Sequence, residues 1–216
     1  MKPIAAANAQ ARRTLRPAAK AALLIAAVCA GLLIAGYLVA TRVNINPMHT
    51  PGEQLDEFKG VGVYYNGAIN HVSGRLTTSD GYNLGLRYQC VEFVKRYYYQ
   101  RFDHRMPNAM GNAKEFFSAR VPHGALNTER MLVQYRNGAG TTPQEDDLIV
   151  FAPWAFNRYG HVAIVSAVGA DFIEVVQQNP GPFGTTRERY ALESQGRIAH
   201  SRALGWLRRP DAKKAP

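Results

Sequence analysis

The first long feature of the chain is an unbroken apolar run, AALLIAAVCAGLLIAGYLVA at residues 21–40, without a charge. At helical rise it spans roughly 30 Å, the thickness of a bilayer core, and it predicts a transmembrane helix. Beyond it the pattern weakens. Residues 41–60 hold Pro47, Pro51 and Gly52 with little periodicity, which predicts a linker. VGVYY (61–65) reads as a short strand closed by the turn signal Asn66-Gly67, and residues 66–86, rich in Gly, Ser, Thr and Asn, read as loop. From Gln89 a helical period takes over. Val91, Val94 and Tyr98 recur at i, i+3 and i+7 beside Phe93 and Tyr97, predicting an amphipathic helix to about Phe102. Met106-Pro107-Asn108 ends it, and NAKEFFSAR (112–120) reads as a second, shorter helix stopped before Pro122.

The rest of the chain reads as strands. MLVQYR (131–136) closes on Asn137-Gly138, and DLIVFA (147–152) is a buried strand. HVAIVSAV (161–168) and FIEVVQQN (172–179) form a hairpin, with weaker strands at RERYAL (187–192) and RALGWLR (202–208). Helices first and antiparallel strands later predict an α+β domain, its N-terminal helices packed on an antiparallel sheet, over residues 61–209. Residues 210–216 read as a tail.

Charge adds an orientation. The 216 residues carry 26 Lys+Arg against 16 Asp+Glu, a net +10. Lys2, Arg12, Arg13, Arg16 and Lys20 crowd residues 1–20, which hold no acid, and the near side after the apolar run has Arg42 and then Glu53, Asp56 and Glu57. The positive-inside rule predicts a basic cytoplasmic tail at 1–20, an anchor at 21–40, and residues 41–216 outside. That is a single pass through a bacterial cytoplasmic (inner) membrane with a periplasmic domain. A cleaved signal peptide would have a shorter core and a small residue where Leu38 stands, so an uncleaved anchor is the expectation. A lipoprotein cleavage before Cys29 fits less well, because Val28 stands where a small residue is expected. No stripe of Lys/Arg interleaved with exposed aromatics suggests nucleic acid as a partner. The oligomeric state leaves no mark on the sequence.

Two cysteines are present, Cys29 inside the apolar run and Cys90. An anchor keeps them on different sides of the membrane boundary, so Cys90 is a lone thiol in an extracytoplasmic domain, where structural cysteines usually pair. A helix start offers free N–H groups and partial positive charge, which favour a thiolate. A cysteine at such a position is nevertheless more often a packing residue. Of six histidines, His161 alone opens an apolar strand; His49, His71, His104, His123 and His200 lie in polar stretches. If residue 161 pairs near residue 178, alternation places Gln177 and Asn179 on one face and Glu174, Val176 and Gln178 on the other. Gln177 or Asn179 then accepts the imidazole N–H. No His/Asp/Glu grouping has the spacing of metal ligands, and no cofactor is expected. Trp154, Phe156 and Tyr159 precede His161 as candidates for a cleft wall.

YQCVEFVKRYYYQRF, PQEDDLIVFAP, GHVAIV and VVQQN, in that order, resemble the CHAP domain, the cysteine- and histidine-dependent amidohydrolases/peptidases of the papain-like and NlpC/P60-like superfamily. The likeness covers roughly residues 60–208. The C-V-E-F and G-H-V-A-I style is similar to that of the amidase domain of glutathionylspermidine synthetase/amidase. The resemblance implies Cys90 as nucleophile, His161 as base and a papain-like fold. It departs at the third member: the related strand ends E-Q-N, whereas here Gln177 takes the glutamate's place, with Asn179 as the second candidate. An amide orients an imidazole and fixes its tautomer but adds no charge. The expected function is a membrane-anchored cysteine amidase or endopeptidase acting on peptidoglycan or another peptide amide. The alternatives are an amidase of small glutathionylspermidine-like conjugates and a non-catalytic wall-binding module.

Overall fold

The computed structural model describes residues 17–210. Most of the basic tail expected at 1–20, and the tail after Pro210, lie outside the described residues. The chain divides into two compact units, the first ending at Val39 and the second beginning at Ala40.

The first unit contains most of helix α1 (Pro17–Arg42). Proline at its first position suits a helix start, where no N–H is required. Leu23, Leu24, Ile25, Leu32 and Leu33 all stand exposed. Among the described residues α1 is the helix long and apolar enough to cross a membrane, and by length and composition it suits a signal sequence as well.

The second unit is α+β. Its elements are β1 (Gln54–Phe58), β2 (Val61–Tyr64), β3 (Arg75–Thr77), β4 (Asn83–Leu86), α2 (Cys90–Phe102), β5 (Ala125–Asn127), β6 (Leu132–Arg136), β7 (Leu148–Phe151), β8 (His161–Val168), β9 (Phe172–Val176), β10 (Arg187–Glu193), β11 (Arg197–Ile198) and β12 (Ala203–Arg208). Eight strands form one sheet in the order β11-β10-β9-β8-β7-β12-β6-β5, while β1-β2 and β3-β4 are separate antiparallel pairs.

Alternation along the central strands builds two cores. Leu148, Val150, Val162, Ile164, Val176 and Leu207 point to the side where α2 packs with Phe93, Val94, Tyr97 and Tyr98. Ile149, Phe151, Ala163, Val165, Val175 and Trp206 form a second cluster on the opposite face. Each large side chain buried fully contributes roughly 1.5–3 kcal/mol, and those four of α2 are 0% exposed. The helix stops at Asp103, whose left-handed backbone (φ 48°) turns its N–H back to Tyr98 and Tyr99. The Arg208 guanidinium grips the Asp147 carboxylate at 2.8 and 2.6 Å, fastening the end of β12 to the start of β7.

Three expectations change. The stretch 41–60 is not a plain linker. Residues 54–58 are a strand paired to β2, Asn44 accepts from the Tyr65 hydroxyl, and Asn46 donates to Pro182. These are polar, long-range ties that hydrophobic period does not register. The loop expected at 66–86 contains the β3-β4 pair. Its four-residue strand includes Gly85 at φ +135°, where a Cβ would sit 3.1 Å from the Cα of Glu92. Close approach to α2, rather than strand propensity, sets that segment. The second helix shrinks to one 3-10 turn, Ala113–Phe116. The Lys114 N–H goes to the Tyr159 carbonyl, which docks the turn beside the start of β8.

Candidate active site

Cys90 is the first residue of α2, following the extended residue Gln89. Burial of Phe93, Val94 and Tyr97 against the sheet carries the start of the helix down with it, and Cys90 is only 6% exposed. The backbone N–H groups of Val162, Val91 and Cys90 itself lie close enough to its sulfur to favour the thiolate. Val162 is the second residue of β8, so the sulfur lies against the strand that His161 opens.

His161 enters β8 through Gly160, at φ +78°. A Cβ there would lie 2.7 Å from the Phe151 carbonyl oxygen, so the turn admits glycine and little else. The imidazole Nε2 is 2.9 Å from Gln177 Oε1. The carboxamide nitrogen of Gln177 donates to the Thr185 carbonyl and to Glu188 Oε2, each at 3.1 Å. With that end committed to two acceptors, the oxygen must face the ring. Nε2 therefore carries the proton and Nδ1 keeps the lone pair.

The neighbouring amides have other duties. Gln178 points to the opposite face: it donates to Glu92 Oε2 at 2.8 Å and to the Gln89 carbonyl at 3.0 Å, and it accepts from the Tyr64 N–H at 2.8 Å. Glu92 also pairs with Arg96 at 2.5 Å. Asn179, the alternative partner for the imidazole, instead donates to Gln89 Oε1 at 2.7 Å and to the Ile69 carbonyl at 2.9 Å. Its backbone is left-handed (φ 58°), which ends the alternation that would have aimed it with Gln177.

Two adjoining cavities meet at these residues. The larger, about 390 Å³, is lined by Cys90, Gln89, Arg75 and Tyr159 among others. The smaller, about 100 Å³, is lined by His161, Gln177, Glu188, Tyr190, His200 and Arg202, and Asn179 also borders it. Ile69 and Asn157 line both. Trp154 borders the smaller cavity and meets Phe156 in a tilted contact, ring centroids 5.1 Å apart, while Tyr159 borders the larger.

Desolvation dominates the acid–base chemistry. Burial pushes the Cys90 thiol up to about 11, against the backbone hydrogen bonds that pull it down. The thiolate favoured by the helix start alone is therefore outweighed, because the surrounding hydrocarbon disfavours charge more than the amide groups favour it. Burial likewise pulls His161 down to about 4. The Gln177 hydrogen bond and the Glu188 charge oppose that shift, and Arg202 and His200 add to it. Burial thus favours the neutral form of each group, a thiol at Cys90 and an uncharged imidazole at His161. Glu188, Tyr190 and Arg202 were not singled out by sequence reasoning, and His200 was set aside as lying in a polar stretch. They come from β10 and from the turn before β12, more than twenty residues from His161. The only local signal was the alternation that puts Glu188 and Tyr190 on one face of RERYAL.

Residues 78–179 match the model of the CHAP domain. Trypanothione synthetase of Crithidia fasciculata is 30% identical over 116 residues, 54% of this chain and 18% of that protein. Bifunctional glutathionylspermidine synthetase/amidase of Escherichia coli (strain K12) is 28% identical over 138 residues, 57% of this chain and 22% of that protein. The chain thus spans less than a quarter of the length of these relatives. The crystal structure of Ly7917 aligns with 32% of this chain and 29% of its own at 25% identity, with a TM-score of 0.26, a likeness too partial to bear on the fold. The CHAP match, with the likeness to a synthetase/amidase, supports an amidase/hydrolase family for this region.

Proposed function

With a CHAP domain over residues 78–179 as the premise, we propose that this protein is a membrane-anchored cysteine amidase or endopeptidase that cleaves amide bonds in peptidoglycan peptides. The observation that carries the reading is a thiol at a helix start, lying against the strand whose first residue is an imidazole with a fixed tautomer.

In this reading Nδ1 of His161 takes the Cys90 proton as Sγ attacks the amide carbonyl. Substrate entry lowers the cost of that transfer, since the negative charge moves from sulfur to the carbonyl oxygen as the bond forms. The Cys90 N–H, one of the first-turn amides without an intrahelical acceptor, faces that oxygen. His161 then gives its proton to the departing amine. Water, deprotonated by the same nitrogen, hydrolyses the thioester and regenerates the thiol. Gln177 holds the ring throughout.

The proposed substrate class is supported by the larger cavity, whose one charged lining side chain is Arg75. A guanidinium beside an otherwise neutral cleft favours a peptide with a free carboxylate, as cell-wall peptides have. The apolar helix α1 and the positive-inside rule support a placement with the N-terminus cytoplasmic and the domain outside. A second reading, hydrolysis of small glutathionylspermidine-like conjugates, is favoured by the similarity to a synthetase/amidase.

The test is to incubate the full chain in detergent with purified sacculi and to identify products by mass spectrometry. New amine and carboxylate ends, absent with Cys90→Ala, support the reading. Unchanged sacculi, with turnover of glutathionylspermidine, favour the second.

A further inference from the structure

Gln177 stands where a carboxylate would supply charge as well as orientation, and an amide supplies orientation alone. The charge is one residue further out. β9 and β10 pair antiparallel with Glu188 opposite Val175 and Arg187 opposite Val176. Opposed residues share a face, so Glu188 stands diagonally from Gln177 on the same side of the sheet, a spacing that long side chains bridge. They do bridge it: Gln177 Nε2 donates to Glu188 Oε2 at 3.1 Å, while Gln177 Oε1 accepts from His161 at 2.9 Å.

We propose that Glu188 is a positioning residue acting through Gln177, the charged end of a His161–Gln177–Glu188 relay that stabilises the imidazolium form of His161. The proposal rests on the Cys90–His161 reading above. The amide passes the effect on in two ways. Its nitrogen is held by an anion, which polarises the carboxamide and makes Oε1 a better acceptor. Its orientation is locked, because a flipped amide would set Oε1 against the carboxylate.

Other charges bear on the ring. Arg202 and His200 border the same cavity and disfavour the imidazolium, and Glu188 opposes them. Tyr190, two residues along β10, hydrogen-bonds Glu188 and is itself held protonated by burial. Glu188 is therefore the acidic group on this side of the site, facing one arginine, a second histidine and a phenol.

The test uses the full chain in detergent with four variants: Glu188→Gln, Gln177→Glu, the double variant Gln177→Glu/Glu188→Gln, and Cys90→Ala as control. Melting curves establish that each is folded. One readout is the rate of Cys90 alkylation by iodoacetamide against pH, which needs no substrate; the other is the pH profile of kcat/KM on sacculus-derived peptides. Glu188→Gln keeps the size and an acceptor oxygen and removes only the charge. It is expected to slow alkylation at pH 7 by about 3–10-fold, and to move the His161-controlled limb down by roughly half a pH unit to one unit. KM should change by less than about twofold, since the charge is proposed to act through Gln177 and not on the substrate. The double variant exchanges amide and carboxylate, and it should recover most of the lost rate. Unchanged alkylation in a folded Glu188→Gln overturns the relay whatever the substrate proves to be. A loss that the double variant does not recover also overturns it, because Glu188 would then be acting through shape. If Cys90→Ala retains activity, the amidase reading falls while the alkylation result still decides the relay.

Discussion

The two sides of the candidate site are built from opposite materials. Cys90 belongs to a wall of hydrocarbon, with Phe93, Val94, Val162 and Val176 in the same cluster. His161 belongs to a wall of amides and charges: Gln177, Glu188, His200 and Arg202. Burial acts on both in the same sense, toward the neutral form, taking the thiol up to about 11 and the imidazole down to about 4. The difference lies in what opposes it. On the cysteine side backbone N–H groups resist, and evolution cannot remove those one side chain at a time. On the histidine side the opposition comes from side chains, each replaceable. The cysteine wall buries the thiol; the charge on the imidazole is opposed or favoured by side chains that single substitutions can change.

The sharpest way to break this contrast is to remove the thiol. Cys90→Ala is expected to abolish amide cleavage, a loss of about 10³-fold or more in kcat, with the fold intact because alanine fills most of a small apolar site. Product release from sacculi by mass spectrometry measures it. The second effect is on stability. His161 is held below its ordinary pKa in the fold, so the unfolded chain binds its proton more readily, and folding loses stability as pH falls from about 6.5 toward 4. The loss reaches at most about 3 kcal/mol. His161→Phe should flatten that part of the acid arm in denaturant titrations at several pH values, and an unchanged arm would contradict the buried neutral imidazole. Gln177→Ala is expected to lower kcat about 10–100-fold with little change in KM, since the ring loses its orienting acceptor. Asn179→Ala sharpens the contrast from the other side. It removes a tie to Gln89 and places alanine at φ 58°, costing about 1–2 kcal/mol in stability. The His161 limb of the pH–rate profile should stay where it is. Movement of that limb would mean that Asn179 bears on the imidazole after all.

Legibility in the sequence followed range. The β8-β9 hairpin and α2 were readable because their periods are local: alternation through HVAIVSAV, helical spacing from Val91 to Tyr98. β1, β3 and β4 were not, because they are short, polar or glycine-bearing, and they exist by docking on other elements rather than by their own pattern. Alternation on FIEVVQQN placed Gln177 opposite in direction to Gln178, and the structure has the first on His161 and the second on Glu92. The same rule failed one residue later, where Asn179 turns left-handed. Glu188 was out of reach, since its meeting with Gln177 depends on how the loop of residues 177–186 sets the β9-β10 register. The thiol's upward shift was out of reach for a similar reason: a helix start is visible in one dimension, whereas burial is a property of three.

The paired glutamines carry a mechanical consequence. Gln177 fastens the imidazole, and Gln178 fastens the first turn of α2 through Glu92 and the Gln89 carbonyl. The His161 ring and the first turn of α2, which carries Cys90, are thus both tied to two successive residues, a span of less than 4 Å. A shift of that short span carries both ties with it, so the two candidate groups share one point of attachment at the end of β9.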